Sequence, residues 1–155
     1  MKFGAQFLGG WSGWGRGMLA TIFVVAGALK VANSADFHSD LVAYQTGLPD
    51  SILRLIAVVL PWIEVLVGLA LGADFWPETI RFLVVGLNFG FVLVLGQALV
   101  RGLDLRCGCF GPLTPDWLDQ PPVALARALG LLFVSIWLWW VHQVNSPVRS
   151  SIVGR

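Results

Sequence analysis

Cys107 and Cys109 are the chain's only cysteines, and a single glycine, Gly108, separates them. Two thiols at that spacing can exchange with another disulfide, close a static bridge, or remain as inert buried thiols. Three local features favour the first. Arg106 precedes the pair, and its positive charge favours the thiolate, the form that attacks in exchange. Gly108 removes a side chain and admits the backbone torsions that a very tight ring demands. A bridge between positions i and i+2 departs from relaxed disulfide geometry, which raises its reduction potential and makes it labile. No histidine or third cysteine stands nearby, so the pair falls short of a zinc set and no metal is expected.

A second group with chemistry to do is Glu64, just after Pro61-Trp62 in the middle of a long apolar run. A carboxylate at membrane depth costs at least about 2–3 kcal/mol unless it is neutralised or paired. Counting about 1.5 Å per residue from the outer helix ends places Asn88 of the next run at the same depth, and Asn88 is the expected level partner. Lys30 and Gln97 lie nearer the outer surface by the same count. Lys30 must therefore bridge a height difference to join Glu64 in a buried polar centre. Arg127, a turn or so into the last run, is a third potential partner. Two roles are open to Glu64: fixing helix register as a bonded or protonated group, or forming a proton or quinone-headgroup site. His38 in the first connection and His142 at the end of the last run read as polar ends rather than ligands.

These residues sit on elements that the composition makes plain. Of 155 residues 57% are hydrophobic and 12% charged, with a mean hydropathy of +0.78. An ordinary soluble domain carries about 25% charged residues, so this is an integral membrane protein. A net charge of +1 gives no basic surface for nucleic acid. The first apolar run has no clear cleavage site and is expected to be retained. Four runs, Gly17–Ala32, Ile52–Leu71, Ile80–Val100 and Val123–His142, approach the ~20 residues that cross a bilayer. The first is short and is expected to begin further back, near Trp14, with Arg16 snorkelling to the headgroups. Asp50-Ser51 is expected to cap the second helix, Pro77 to open the third and Pro121-Pro122 the fourth.

The expected fold is all-α: an integral membrane four-helix bundle with short loops and an exterior Cys-Gly-Cys loop between helices three and four. Residues 1–16, rich in Trp and Gly, form an interfacial approach; residues 17–145 form the bundle, and 146–155 a cytoplasmic tail. Gly68/Gly72 and Gly86/Gly90 each make a G-x-x-x-G spacing and are read as packing faces. The termini carry Lys2, Arg16, Arg149 and Arg155 and no acid, which places both ends in the cytoplasm of a bacterial inner membrane and the cysteines in the periplasm. An oxidising compartment suits thiol exchange.

Ala26–Lys30 (A-G-A-L-K) before a loop with Phe37, Tyr44 and Leu48-Pro49, Leu60–Leu69 (L-P-W-I-E-V-L-V-G-L) and Arg106–Gly111 (R-C-G-C-F-G) together resemble the MauE family of methylamine utilisation membrane proteins, within the broader DoxX-like four-helix group. The resemblance spans about Gly17–Val141. It implies four transmembrane helices. It also implies a role in maturing or transporting the disulfide-rich small subunit of methylamine dehydrogenase, beside a periplasmic thioredoxin-like partner. Cys107 and Cys109 match the family's cysteine pair, Glu64 its acid after Pro-Trp, and Lys30 its first-helix lysine. The chain departs from the family pattern at Arg106, where an acid often stands, and at Arg127-Ala128, where relatives often carry Arg-Asn.

The expected function is thiol–disulfide exchange that supports maturation of a partner protein, with Cys107 or Cys109 as the attacking thiol and Arg106 tuning it. With one pair only, the chain needs an external thiol partner, a bound quinone, or both. The rival from another class is a non-catalytic subunit of a larger membrane complex, whose tryptophan-rich faces meet neighbours, lipids or pigments. Quinone handling of the DoxX-like kind is the third reading.

Overall fold

The computed structural model of the chain describes residues 3–102 and 120–153. Five helices follow in order: α1 (Phe3–Ala32), α2 (Ser34–Ala43), α3 (Asp50–Gly72), α4 (Pro77–Val100) and α5 (Pro121–Val153). Four of them contain stretches long and apolar enough to cross a membrane: Gly13–Ala32, Asp50–Gly72, Pro77–Val100 and Pro122–Val144. The chain is therefore a multi-pass four-helix membrane bundle, with no strand among the described residues. Pro77 stands in the first turn of α4, and Pro121 opens α5, where a missing N–H costs nothing.

Two local expectations are corrected. The first connection is not a short loop, since Ser34–Ala43 forms α2 after a break at Asn33. The segment carries apolar residues at Phe37, Leu41 and Tyr44, a helical spacing that brings Phe37 and Tyr44 into buried positions. Asp50 does not cap α3: Pro49 holds the N-cap position with extended torsions and no side-chain bond. The Asp50 carboxylate instead accepts from Arg54 Nε at 2.6 Å, and its other oxygen lies 3.0 Å from His38 Nε2 on α2. That clasp ties α2 to the first turn of α3. Residues 3–16 are helical and continuous with the first span.

Along α3 an inward stripe of Leu53, Ala57, Pro61, Glu64, Val67, Gly68 and Leu71 is buried. Leu55, Val58, Trp62, Leu66 and Leu69 on the other side are exposed. Both stripes are apolar because lipid and core are equally greasy, so small and polar residues rather than hydrophobicity mark the packed face. The most extensive contact joins α1 to α3, then α4 to α5; the two pairs meet through looser α1–α5 and α3–α4 seams.

Glycine sets the tight seam. A Cβ on Gly27 would come within 2.8 Å of the Pro61 carbonyl oxygen, and one on Gly68 within 2.9 Å of the Val24 nitrogen. Gly72 lies 3.5 Å from the Ala20 Cβ by the same construction. Gly68 and Gly72 thus serve as the packing face that their spacing predicts. Gly86 and Gly90 do not: a Cβ at either meets nothing within 4 Å. The similar spacing packs one pair and leaves the other lining open space, because only α3 has a close partner on its glycine side.

Two apolar clusters hold the ends of the bundle. Leu19, Phe23, Val67, Leu71, Val84 and Leu138 form one; Tyr44, Leu95, Ala98, Ala124 and Ala128 form the other. Along the helices, the buried polar side chains Lys30, Glu64, Asn88 and Ser135 fall between them.

Candidate functional site

Lys30 and Glu64 meet in this middle layer. Lys30 Nζ lies 2.7 Å from Glu64 Oε1 and 2.8 Å from Oε2, with the two side chains 3% and 2% exposed. The height difference expected between them closes for two reasons. Gly27 sits level with residues 61–65 and Gly68 with residues 20–24. By that register α1 ends about eight residues, or ~12 Å, short of the first turn of α3. The two helix ends are not flush, and α2 packs on the α3 overhang. Lys30 and Glu64 are then offset by only about four residues, ~6 Å. In an antiparallel pair each side chain leans toward its own helix N-terminus, so these two lean toward one another.

The ammonium group is enclosed from further sides. The Phe91 ring of α4 has its centroid 4.7 Å from Nζ, and the Phe37 ring of α2 lies at 5.2 Å. Both are within cation–π range. A cavity of about 50 Å3 adjoins the pair, with Asn88 and Arg127 also in its lining, and such a space admits one or more water molecules. Ion pair, amide and guanidinium therefore converge at mid-depth from α1, α3, α4 and α5.

Asn88 is not the partner of Glu64. Its Nδ2 donates to Ser135 Oγ at 2.8 Å and to the Val84 carbonyl at 3.1 Å, while Ser135 Oγ donates to the Leu131 carbonyl at 2.6 Å. Asn88 thus pins α4 to α5, as Glu64 and Lys30 pin α1 to α3. Sequence reasoning missed Ser135, although a lone serine in the middle of the last apolar run was the available signal. It took Phe37 only as part of the family resemblance and missed Phe91; neither shows its place beside the ammonium until the helices are assembled.

A third polar group closes the opposite end of the bundle. Arg16 Nη1 lies 2.8 Å from Asp74 Oδ1, and Arg81 Nη2 donates to the same oxygen at 3.1 Å. Partial burial raises the Asp74 carboxyl, but the Arg16 bond and the charges of Arg16, Arg81 and His142 outweigh it and hold the group below the usual carboxylate range.

Cys107, Cys109, Arg106 and Gly108 lie outside the described residues. The chain leaves α4 at Arg101, whose Nη1 donates to the Gln45 carbonyl at 2.8 Å beside α2. α4 accordingly ends, and α5 begins, at the α2 end of the bundle.

The profile of a family described as methylamine utilisation protein MauE matches residues 10–141. The chain belongs to the MauE family. The match takes in α2, α3 and α4 and most of α1 and α5, together with the cysteine segment, so the ion pair and the Cys-Gly-Cys sequence both fall within the family region. No curated protein and no solved structure matches the chain. Membership in the MauE family makes it a membrane accessory protein of the methylamine utilisation type.

Proposed function

We propose that this MauE-family protein supports maturation of a partner protein by thiol–disulfide exchange through Cys107 and Cys109. The observation that carries the proposal is a Cys-Gly-Cys pair, the chain's only thiols, set in the connection between two membrane spans of a family member. One thiolate of the pair attacks a sulfur of the partner's disulfide and releases a partner thiolate. The second thiol then attacks the mixed disulfide, closing Cys107–Cys109 and leaving the partner as a dithiol; the reverse sequence oxidises the partner. Two electrons pass between the pair and the partner in either direction. Arg106 favours the attacking thiolate. The partner class is a periplasmic thioredoxin-like protein or its client, which requires the α2 end of the bundle to face the periplasm. Lys30 and Glu64 act as the buried polar centre that fixes α1 against α3 and holds this end in register. The wider DoxX-like kinship of the motifs belongs to the same reading.

Cys107→Ser and Cys109→Ser, made separately in the native host, test this. Both variants should keep the four spans assembled, because the packing contacts lie in the helices. One of the two should accumulate a mixed disulfide with a thioredoxin-like protein, since losing the resolving thiol stalls exchange. Both should lose maturation activity. Full activity in either variant, or cysteines that label as reduced thiols throughout a redox titration, would overturn the proposal and leave a structural subunit.

A further inference from the structure

Lys30 stands between two cavities of different character. On one side is the space of about 50 Å3 that Glu64, Asn88 and Arg127 also line. On the other, about 270 Å3 opens between α2, α3 and α4, and Lys30 is the one charged residue in its otherwise largely apolar lining. The larger space exists because α3 and α4 make only slight contact and because Gly86 and Gly90 present no side chains to the gap. Gly86 is exposed within the Pro77–Val100 span, so this cavity opens sideways toward lipid.

A buried primary amine with room on both sides can condense with a carbonyl compound. Lys30 Nζ lies 2.7 Å from Glu64 Oε1. Moving one proton across that contact turns the pair into a neutral amine and a carboxylic acid, with no change in net charge. The amine nitrogen then attacks the carbonyl carbon, and the C–N bond forms as the Glu64 proton passes to the carbonyl oxygen. A second proton leaves the nitrogen by way of Glu64, and the hydroxyl departs as water. A protonated imine remains, with the Glu64 carboxylate as its counter-ion. Two of the three ammonium hydrogens have gone into the water, and the charges are those at the start. The small polar cavity can receive that water. Phe37 and Phe91, whose ring centroids lie 5.2 and 4.7 Å from Nζ, face the iminium as they face the ammonium.

The same surroundings select the carbonyl compound. It arrives from lipid along apolar walls, so it is uncharged. The two rings beside Nζ crowd a carbonyl carbon bearing two carbon substituents, whereas an aldehyde presents only hydrogen on one side. A cavity of about 150 Å3 holds benzene, so this one accepts a single substituted ring.

We propose that Lys30 is a covalent attachment point for a lipid-soluble aldehyde, held as a protonated imine with Glu64 as proton carrier and counter-ion. The site uses no residue between 103 and 119 and stands whether or not the cysteine pair exchanges disulfides.

The test uses 4-(dimethylamino)benzaldehyde, a neutral one-ring aldehyde whose absorption moves to longer wavelength when it forms a protonated imine. Added to the full chain in detergent, it should give the shifted band, which empty micelles should not. Borohydride reduction during SDS denaturation, followed by peptide mass analysis, should place the adduct on Lys30 in preference to Lys2, the chain's other lysine. The charged 4-formylbenzoate should leave Lys30 unlabelled. Glu64→Gln should slow the band's appearance about a hundred-fold, as expected for loss of a positioned proton carrier. Lys30→Met combined with Glu64→Leu should keep the helix content and give no band. Gly90→Leu fills the larger cavity without a clash and should cut the Lys30 adduct at least about ten-fold. Gly86→Leu supplies the same test at a second position should Gly90→Leu disturb folding. Label confined to Lys2 and the amino terminus, equal labelling of Lys30 by 4-formylbenzoate, or a Lys30 adduct that survives both leucine substitutions would overturn the proposal.

Discussion

Glu64→Leu should be among the most damaging single substitutions in the bundle, and a second substitution should undo most of the damage. The carboxylate holds Lys30 Nζ at 2.7 and 2.8 Å, with both side chains almost wholly excluded from solvent. Removing it strands an ammonium whose remaining neighbours there include the faces of Phe37 and Phe91. Breaking one side of such a pair costs about 3–5 kcal/mol. Glu64→Gln keeps one acceptor for the ammonium and loses the opposite charge, for a cost of about 1.5–3 kcal/mol. Lys30→Met combined with Glu64→Leu removes both charges at similar volume and should lie within about 1 kcal/mol of the parent. The cycle should therefore show a coupling of at least about 3 kcal/mol, more than a hundred-fold in the folded-to-unfolded ratio. Reversible unfolding by SDS in mixed micelles, followed by circular dichroism, measures all four proteins on one scale. Single substitutions that each cost less than about 1 kcal/mol, or single costs that simply add in the double variant, would refute the pairing as the element that locks α1 to α3.

Four further outcomes are expected. Gly68→Ala should destabilise by about 1–3 kcal/mol, because its Cβ meets the α1 backbone and the two helices must part. Gly86→Ala should be neutral or stabilising by up to about 1 kcal/mol, since its Cβ enters open space and Gly is a poor helix former; the same SDS titration reads both. Asp74 is held below the usual carboxylate range, so its contribution is fully present at neutral pH and fades only as pH falls below about 4 and through its lowered folded value. Asp74→Asn should flatten that part of the acid limb in a plot of melting temperature against pH. Reporter fusions at Arg155 and in the Asp116–Gln120 region should report a cytoplasmic C-terminus and a periplasmic α4–α5 connection; a C-terminal reporter active only in the periplasm would reverse the orientation and remove the oxidising setting for the cysteines.

The sequence alone determined the solvent, the number of membrane spans and most of the punctuation. Four long apolar runs in a chain with few charges can satisfy their backbones in lipid only as helices. Pro77 and Pro121 start helices wherever the rest of the chain lies, because a missing N–H is free in a first turn. The three segments around Lys30, Glu64 and Cys107 were enough to point to the MauE family, whose profile covers the same stretch. Which residue pairs with which was not legible in the same way. Partners at membrane depth depend on how far one helix slides past another, and Gly27 and Gly68 set that slide by their contacts on the facing backbone. The resulting overhang of α3 moves Lys30 opposite Glu64 and leaves Asn88 to Ser135. The contrast between Gly68/Gly72 and Gly86/Gly90 has the same origin: the spacing is a property of one helix, but a packing face exists only where a second helix comes close enough to use it.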